Sequence, residues 1–169
     1  MLVFRRRDPR WGRNGEAGAE CPYLMSMYAA SFSLGFQQGH TQAGAMPRHA
    51  FTDPAAAVAS TGFLNGIATI KHWNGNTLED SDGWTRHNFD DNVSDFVLAD
   101  NTFPAFRAGI RAGGASGVMC AYNAVQGLPS CTSPLLKATL QAWNFSGYHL
   151  HQSHIWIACC FKFESTIVK

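Results

Sequence analysis

The sequence predicts an α/β fold, a partial (β/α)8 barrel fragment with parallel strands. Two kinds of segment alternate along the chain: short, mostly apolar runs that stop at polar side chains, and longer stretches with apolar residues at helical spacing. This alternation is the pattern of βαβ units, in which helices cover a parallel sheet buried on both faces. A closed barrel of this type needs eight strands and roughly 250 residues, and only about three strands are visible here. The polar residues collect at strand C-terminal ends, where barrels and doubly wound sheets place their chemistry. No glycine-rich nucleotide fingerprint follows any strand, which favours the barrel over a dinucleotide fold.

Each element has its own signal. From Cys21 to Gly39 the residues Leu24, Met27, Tyr28, Phe32 and Phe36 recur at helical spacing, Pro22 suits a first turn, and Gly39 can end the run. The segment from His40 to Ser60 reads as a loop, with a short helix starting after Asp53-Pro54. Gly66 to His72, "GIATIKH", is a buried strand that stops at Lys71 and His72. A polar, turn-rich loop runs to about Asn92. Ser94-Asp95 then opens a helix from Phe96 to Ala112, interrupted near Pro104. Ser116 to Tyr122, "SGVMCAY", is a second strand with a polar tip at Tyr122-Asn123. Thr132-Ser133-Pro134 begins a helix running to Trp143, and Gly147 to Leu150 reads as the next strand.

Composition narrows the function classes. With 46% hydrophobic and 15% charged residues, the chain can bury one ordinary core and is too poor in charge for a disordered segment. A net charge of +1 gives no general footprint for nucleic acid, although Arg5, Arg6, Arg7, Arg10 and Arg13 crowd the start. No apolar run approaches the ~20 residues that cross a bilayer, so no membrane partner is expected. "MLVFRRRDPR" places arginines after its apolar residues, the reverse of a secretory signal. The cysteines Cys21, Cys120, Cys131, Cys159 and Cys160 show no finger-like spacing, and arithmetic leaves their pairing open. No cofactor is expected.

Four stretches carry a resemblance. "RDPRWGRNGEAGAECPYL" (Arg7 to Leu24), "ATIKHWNGNTLE" (Ala68 to Glu79), "TRHNFDDNVSDFVLAD" (Thr85 to Asp100) and "GVMCAYNAVQGLPSC" (Gly117 to Cys131) occur in order. Together they resemble the N-terminal barrel of glycoside hydrolase family 3, closest to its fungal β-xylosidase branch, and the likeness continues to Tyr148. The resemblance divides the chain into residues 1–148, a partial family domain, and residues 149–169, a divergent tail. It implies an exo-acting β-xylosidase or β-glucosidase lineage with a retaining mechanism, an extracellular setting for the family, and a xylo-oligosaccharide or other β-glycoside as partner. It also implies that Arg13, Lys71, His72 and Tyr122 line the sugar pocket and that Cys120 and Cys131 form a disulfide. Chemically the set is apt, because guanidinium, ammonium, imidazole and phenol groups on rigid strand ends can donate to sugar hydroxyls in a fixed geometry. Asp8 and Glu16 are better suited to orienting the neighbouring arginines than to catalysis. Trp11 and Trp84 are each as well suited to packing as to stacking on a sugar face.

A retaining glycosidase uses two carboxyl groups ~5 Å apart, one as nucleophile and one as acid and then base. In the family the resemblance points to, the nucleophile is an aspartate on the strand that follows the Gly-Tyr pair. Counting from Gly147-Tyr148, its place falls near Gln152, and no Asp or Glu occurs between Asp100 and Glu164. A glutamine amide lacks the charge that attacks and stabilises the anomeric centre. The expectation is therefore a truncated form without catalytic carboxylates, inactive alone. The tail "IWIACCFKFESTIVK" reads like translation through an intron or a shifted frame. Two other readings stand beside this one: a sugar-binding remnant without turnover, and a metal-binding tail built on His149, His151, His154, Cys159 and Cys160. Chance composition accounts for the last more simply, and no metal ligand is assigned.

Overall fold

The computed structural model describes Met1, residues 9–38, residues 64–150 and Phe161–Lys162, with backbone alone at 148–150 and 161–162. A parallel sheet forms its centre: β1 (Thr69–Trp73), β5 (Gly117–Cys120) and β8 (Tyr148–Leu150) pair in that order. A short strand, β9 (Phe161–Lys162), pairs antiparallel to β8, an addition that no periodicity in the tail announces. Smaller pairs decorate the C-terminal ends of β1 and β5. β2 (Asp80–Ser81) and β3 (Trp84–Thr85) make a hairpin, and β4 (Asp90–Asp91), β6 (Ala124–Val125) and β7 (Leu128–Pro129) make a second small sheet. The loop expected up to Asn92 therefore holds β2, β3 and β4, whereas β6 and β7 follow β5. The expected short helix after Asp53-Pro54 lies outside the described residues.

Helix α1 (Pro22–Gln38) falls within one residue of its expected bounds, but it buries a different face. Met25, Ala29, Ala30, Ser33 and Gln37 are buried, whereas Leu24, Tyr28, Phe32 and Phe36 are exposed among the described residues. The reason is close packing. A Cβ added at Gly113 would come within 2.8 Å of the Ala30 carbonyl, and one at Gly109 within 3.5 Å of the Ala29 Cβ, so only small residues fit that interface. The aromatic stripe instead stacks along the outer face, with Phe32 and Phe36 rings 5.9 Å apart.

Helix α2 (Phe103–Arg111) is preceded by one helical turn at Asp95–Val97 and a wide π turn at Leu98–Thr102. Ser94 caps the first turn by accepting from Val97 N at 3.3 Å. Pro104 sits in the first turn of α2, where its missing N–H costs nothing, so the interruption expected near it is a restart of the helix. Helix α3 (Pro134–Ala142) starts with Ser133 accepting from Leu135 N. Its Leu136 and Leu140 join Ile70, Trp73, Phe106 and Val118 in one core. Trp73 stacks on Phe103 at 6.2 Å, and Phe103 meets Trp143 edge-on at 5.5 Å, tying β1, α2 and the end of α3 together. The result is a partial α/β fragment with its parallel strands in one sheet. No helix among the described residues is long and apolar enough to cross a membrane.

Candidate functional site at the strand ends

The C-terminal ends of β1 and β5 lie side by side because the strands are parallel and in register from Thr69 opposite Gly117. β1 delivers Lys71 and His72, and Tyr122 follows β5 by two residues. Pairing is irregular between Lys71 and Trp73, and the Lys71-His72 and Trp73-Asn74 peptides are cis. Arg13 arrives from the turn before α1, at the head of a short 3-10 turn, Asn14–Glu16.

The structure brings these four side chains into one electrostatic neighbourhood. His72 is 1% exposed, and its pKa is pushed down to about 3, first by burial and then by the charges of Arg13 and Lys71. It is therefore a neutral imidazole at physiological pH. Arg13 donates Nε and Nη2, one edge of its guanidinium, to the two carboxylate oxygens of Glu16 at 2.8 and 2.7 Å, which raises the Arg13 pKa further and holds the Glu16 carboxyl below its usual range. Tyr122 lies close enough to Arg13 to bear on it electrostatically as well. Glu16 thus orients Arg13. Asp8 lies outside the described residues.

Several contributors escape sequence reasoning. Glu79 takes Arg86 at 3.1 Å and stands 3.9 Å from Arg13, joining the two guanidiniums through one carboxylate. Arg86 lies over the Tyr122 ring at 5.6 Å, and the His87 ring is 4.5 Å from the same phenol, so the aromatic face is held by a cation and an imidazole. Both belong to the "TRHN" stretch, and its likeness to the family is the only signal they give. Behind the site, Asn74, Asn76 and Asn123 are each at most 1% exposed. Asn123 Nδ2 and Ser130 Oγ both donate to the Asn74 carbonyl at 3.2 Å, pinning the β1 end to the β5 end.

A disulfide joins Cys120 to Cys131, with Cα atoms 5.1 Å apart, and closes the loop that carries Tyr122. Cys21 is a free, exposed thiol. Beside Tyr122 lies an open pocket of about 530 Å³ lined by Leu78, Trp84, His87, Phe89, Tyr122 and Pro129. Trp84 is 55% exposed at this pocket, whereas Trp11 is 5% exposed within the core, so Trp11 packs and Trp84 is the indole available to a ligand. Gln152 and His151, His154, Cys159 and Cys160 lie outside the described residues.

Residues 5–153 match the glycosyl hydrolase family 3 N terminal domain. The chain belongs to this family. Among curated relatives, "Probable beta-D-xylosidase 7" of Arabidopsis thaliana is 38% identical over 144 residues, which is 84% of this chain and 17% of that protein. The "Probable exo-1,4-beta-xylosidase" of Aspergillus clavatus is 37% identical over 141 residues, 82% of this chain and 16% of that protein. Plant and fungal xylosidases thus stand at similar distance. Among solved structures, a family 3 exo-β-xylosidase in complex with a xylobiose aziridine activity-based probe superposes with a TM-score of 0.73 at 27% identity, covering 89% of this chain and 18% of that one. The chain spans about a sixth of the length of the curated relatives it matches.

Proposed function

We propose that this family 3 chain binds the terminal xylose of a xylo-oligosaccharide, or of a related β-glycoside, without hydrolysing it. The observation that carries the reading is the convergence of Arg13, Lys71, His72 and Tyr122 at the ends of β1 and β5. In this reading Arg13 and Lys71 donate as cations, His72 as a neutral ring and Tyr122 through its hydroxyl, a set suited to several hydroxyls on one pyranose. Trp84 offers an apolar face for the next ring along the oligosaccharide.

Turnover is a separate matter. Glycoside hydrolysis by retention needs a free nucleophilic carboxylate beside an acid/base. Among the described residues, Glu16 and Glu79 stand beside Arg13 and are engaged by Arg13 and Arg86, and no Asp or Glu occurs from residue 101 to residue 163. The strand that follows Gly147-Tyr148 therefore supplies no nucleophile from this sequence. The Cys120–Cys131 disulfide is in keeping with an oxidising, extracellular setting for the binding.

Titration calorimetry with xylose, paired with a nitrophenyl β-xyloside assay, tests both halves. Saturable xylose binding that Lys71→Met and His72→Gln weaken, with no nitrophenol release, is the expected result. Absence of binding to xylose removes the sugar-site assignment, tighter binding of glucose reassigns the sugar, and release of nitrophenol removes the claim of no turnover.

A further inference from the structure

Asn76 Nδ2 lies 3.2 Å from His72 Nδ1, in a contact buried on both sides. We infer that Asn76 is a positioning residue that fixes His72 as the Nε2–H tautomer, so that the ring carries its one hydrogen-bond donor on the nitrogen that Asn76 does not engage. The chemistry is short. An amide nitrogen has two protons and no lone pair to accept with, so at this contact Nδ1 must supply the lone pair. A neutral imidazole carries one ring proton, which is then on Nε2. The ring is neutral because burial and the charges of Arg13 and Lys71 both disfavour the imidazolium.

The surrounding backbone holds Asn76 in place. Gly75 takes a left-handed φ of 72°, and a Cβ there would press within 2.7 Å of Asp91 and 2.9 Å of Val125, so the turn that aims Asn76 at His72 requires glycine. Thr77 N donates to Gly75 O at 2.8 Å across that turn, and the Asn74 carbonyl is fixed from the β5 side by Asn123 and Ser130. Nε2 has no hydrogen-bond partner among the described residues. Its proton is therefore available to a ligand hydroxyl, a consequence that rests on the sugar-site reading above.

Nitrogen-15 NMR of the histidine rings in the full 169-residue chain tests the assignment, with His72→Gln identifying the His72 signals. A pyridine-type Nδ1 and a pyrrole-type Nε2 at neutral pH are expected; a protonated Nδ1 overturns the inference. Asn76→Ala should leave a mixture of tautomers and weaken xylose binding on the order of tenfold, the scale of one lost hydrogen bond. An unchanged tautomer in that variant overturns the positioning role. Asn76→Asp, nearly isosteric, replaces the donor by an acceptor and should draw the proton to Nδ1. If the wild-type tautomer is as expected and xylose does not bind, the sugar-site reading falls and the tautomer assignment stands.

Discussion

Arg13 and Glu16 meet fork to fork, Nε to Oε1 at 2.8 Å and Nη2 to Oε2 at 2.7 Å. The pair is three residues apart on one turn, and the Glu16 side chain is 48% exposed, so its contribution to stability is on the scale of an exposed ion pair, about 0–1 kcal/mol. Its contribution to Arg13 is geometric, because a bidentate partner fixes the plane of the guanidinium. Glu16→Gln should therefore change the denaturation midpoint little while lowering xylose affinity roughly threefold or more through loss of pre-organisation. Urea titration and calorimetry on the same preparation separate the two effects; an equal loss in both would show that Glu16 acts only on folding.

The neutral His72 predicts an acid weakness. Its pKa is about 3 in the folded chain against 6.5 for the ordinary side chain, lowered by burial first and by Arg13 and Lys71 next, with Glu16 opposing. Between these values the unfolded chain binds the extra proton, so stability is full above about pH 6.5 and declines as pH falls toward 3. The depressed Glu16 carboxyl adds its own loss, present above its usual 4.5 and removed as pH falls below it. Urea midpoints measured between about pH 7.5 and pH 4.5 should fall, and His72→Gln should flatten most of the decline above pH 5. A wild-type profile as flat as that of the variant would contradict the buried neutral ring.

Much of the frame is legible in the sequence, because strand and helix periods, proline at first turns and serine caps are local signals. β5 and β8 fall within their expected segments, and β1 runs one residue past its own, to Trp73. The face of α1 was not legible: apolar periodicity marks Tyr28, Phe32 and Phe36, but the buried side is chosen by which small residues let α1 and α2 approach. The site's polar lining divides in the same way. Lys71 and His72 announce themselves by ending an apolar run, whereas Glu79, Arg86, His87 and Asn76 sit in a polar loop where nothing local distinguishes them from solvated neighbours. The contacts of Arg86 and His87 with Tyr122 span 36 and 35 residues, which no local window of sequence contains; Asn76 reaches His72 over four residues and Glu79 reaches Arg86 over seven, pairings set by the turns between them.

The Cys120–Cys131 disulfide should contribute stability on the scale that its loop length sets. It closes a loop with a sequence separation of 11, and the loop-closure model gives roughly 3 kcal/mol for that length. The double substitution Cys120→Ala/Cys131→Ala should destabilise by about 2–3 kcal/mol, and reductant should do the same to the wild-type chain. Tyr122 lies inside the closed loop, so xylose affinity should fall in parallel. Stability insensitive to reductant would show that the cross-link is absent in solution.

Gln37 ties α1 to the sheet through three side-chain hydrogen bonds. It is 2% exposed, its Nε2 donates to Gly114 O at 2.7 Å, and its Oε1 accepts from Ala68 N at 3.0 Å and Ser116 N at 2.9 Å. Those two amides stand just before β1 and β5, so one side chain sets the height at which both strands begin and thus where Lys71, His72 and Tyr122 end. Gln37→Ala leaves the buried Ala68 N–H and the part-buried Ser116 N–H without their acceptor, each costing about 1–3 kcal/mol where no water replaces the amide, and removes one of the two donors to Gly114 O. A loss of roughly 3 kcal/mol or more is expected in chemical denaturation, against less than about 0.5 kcal/mol for the exposed Gln141→Ala. Equal, small effects for the two variants would mean that the Gln37 bonds do not persist in solution.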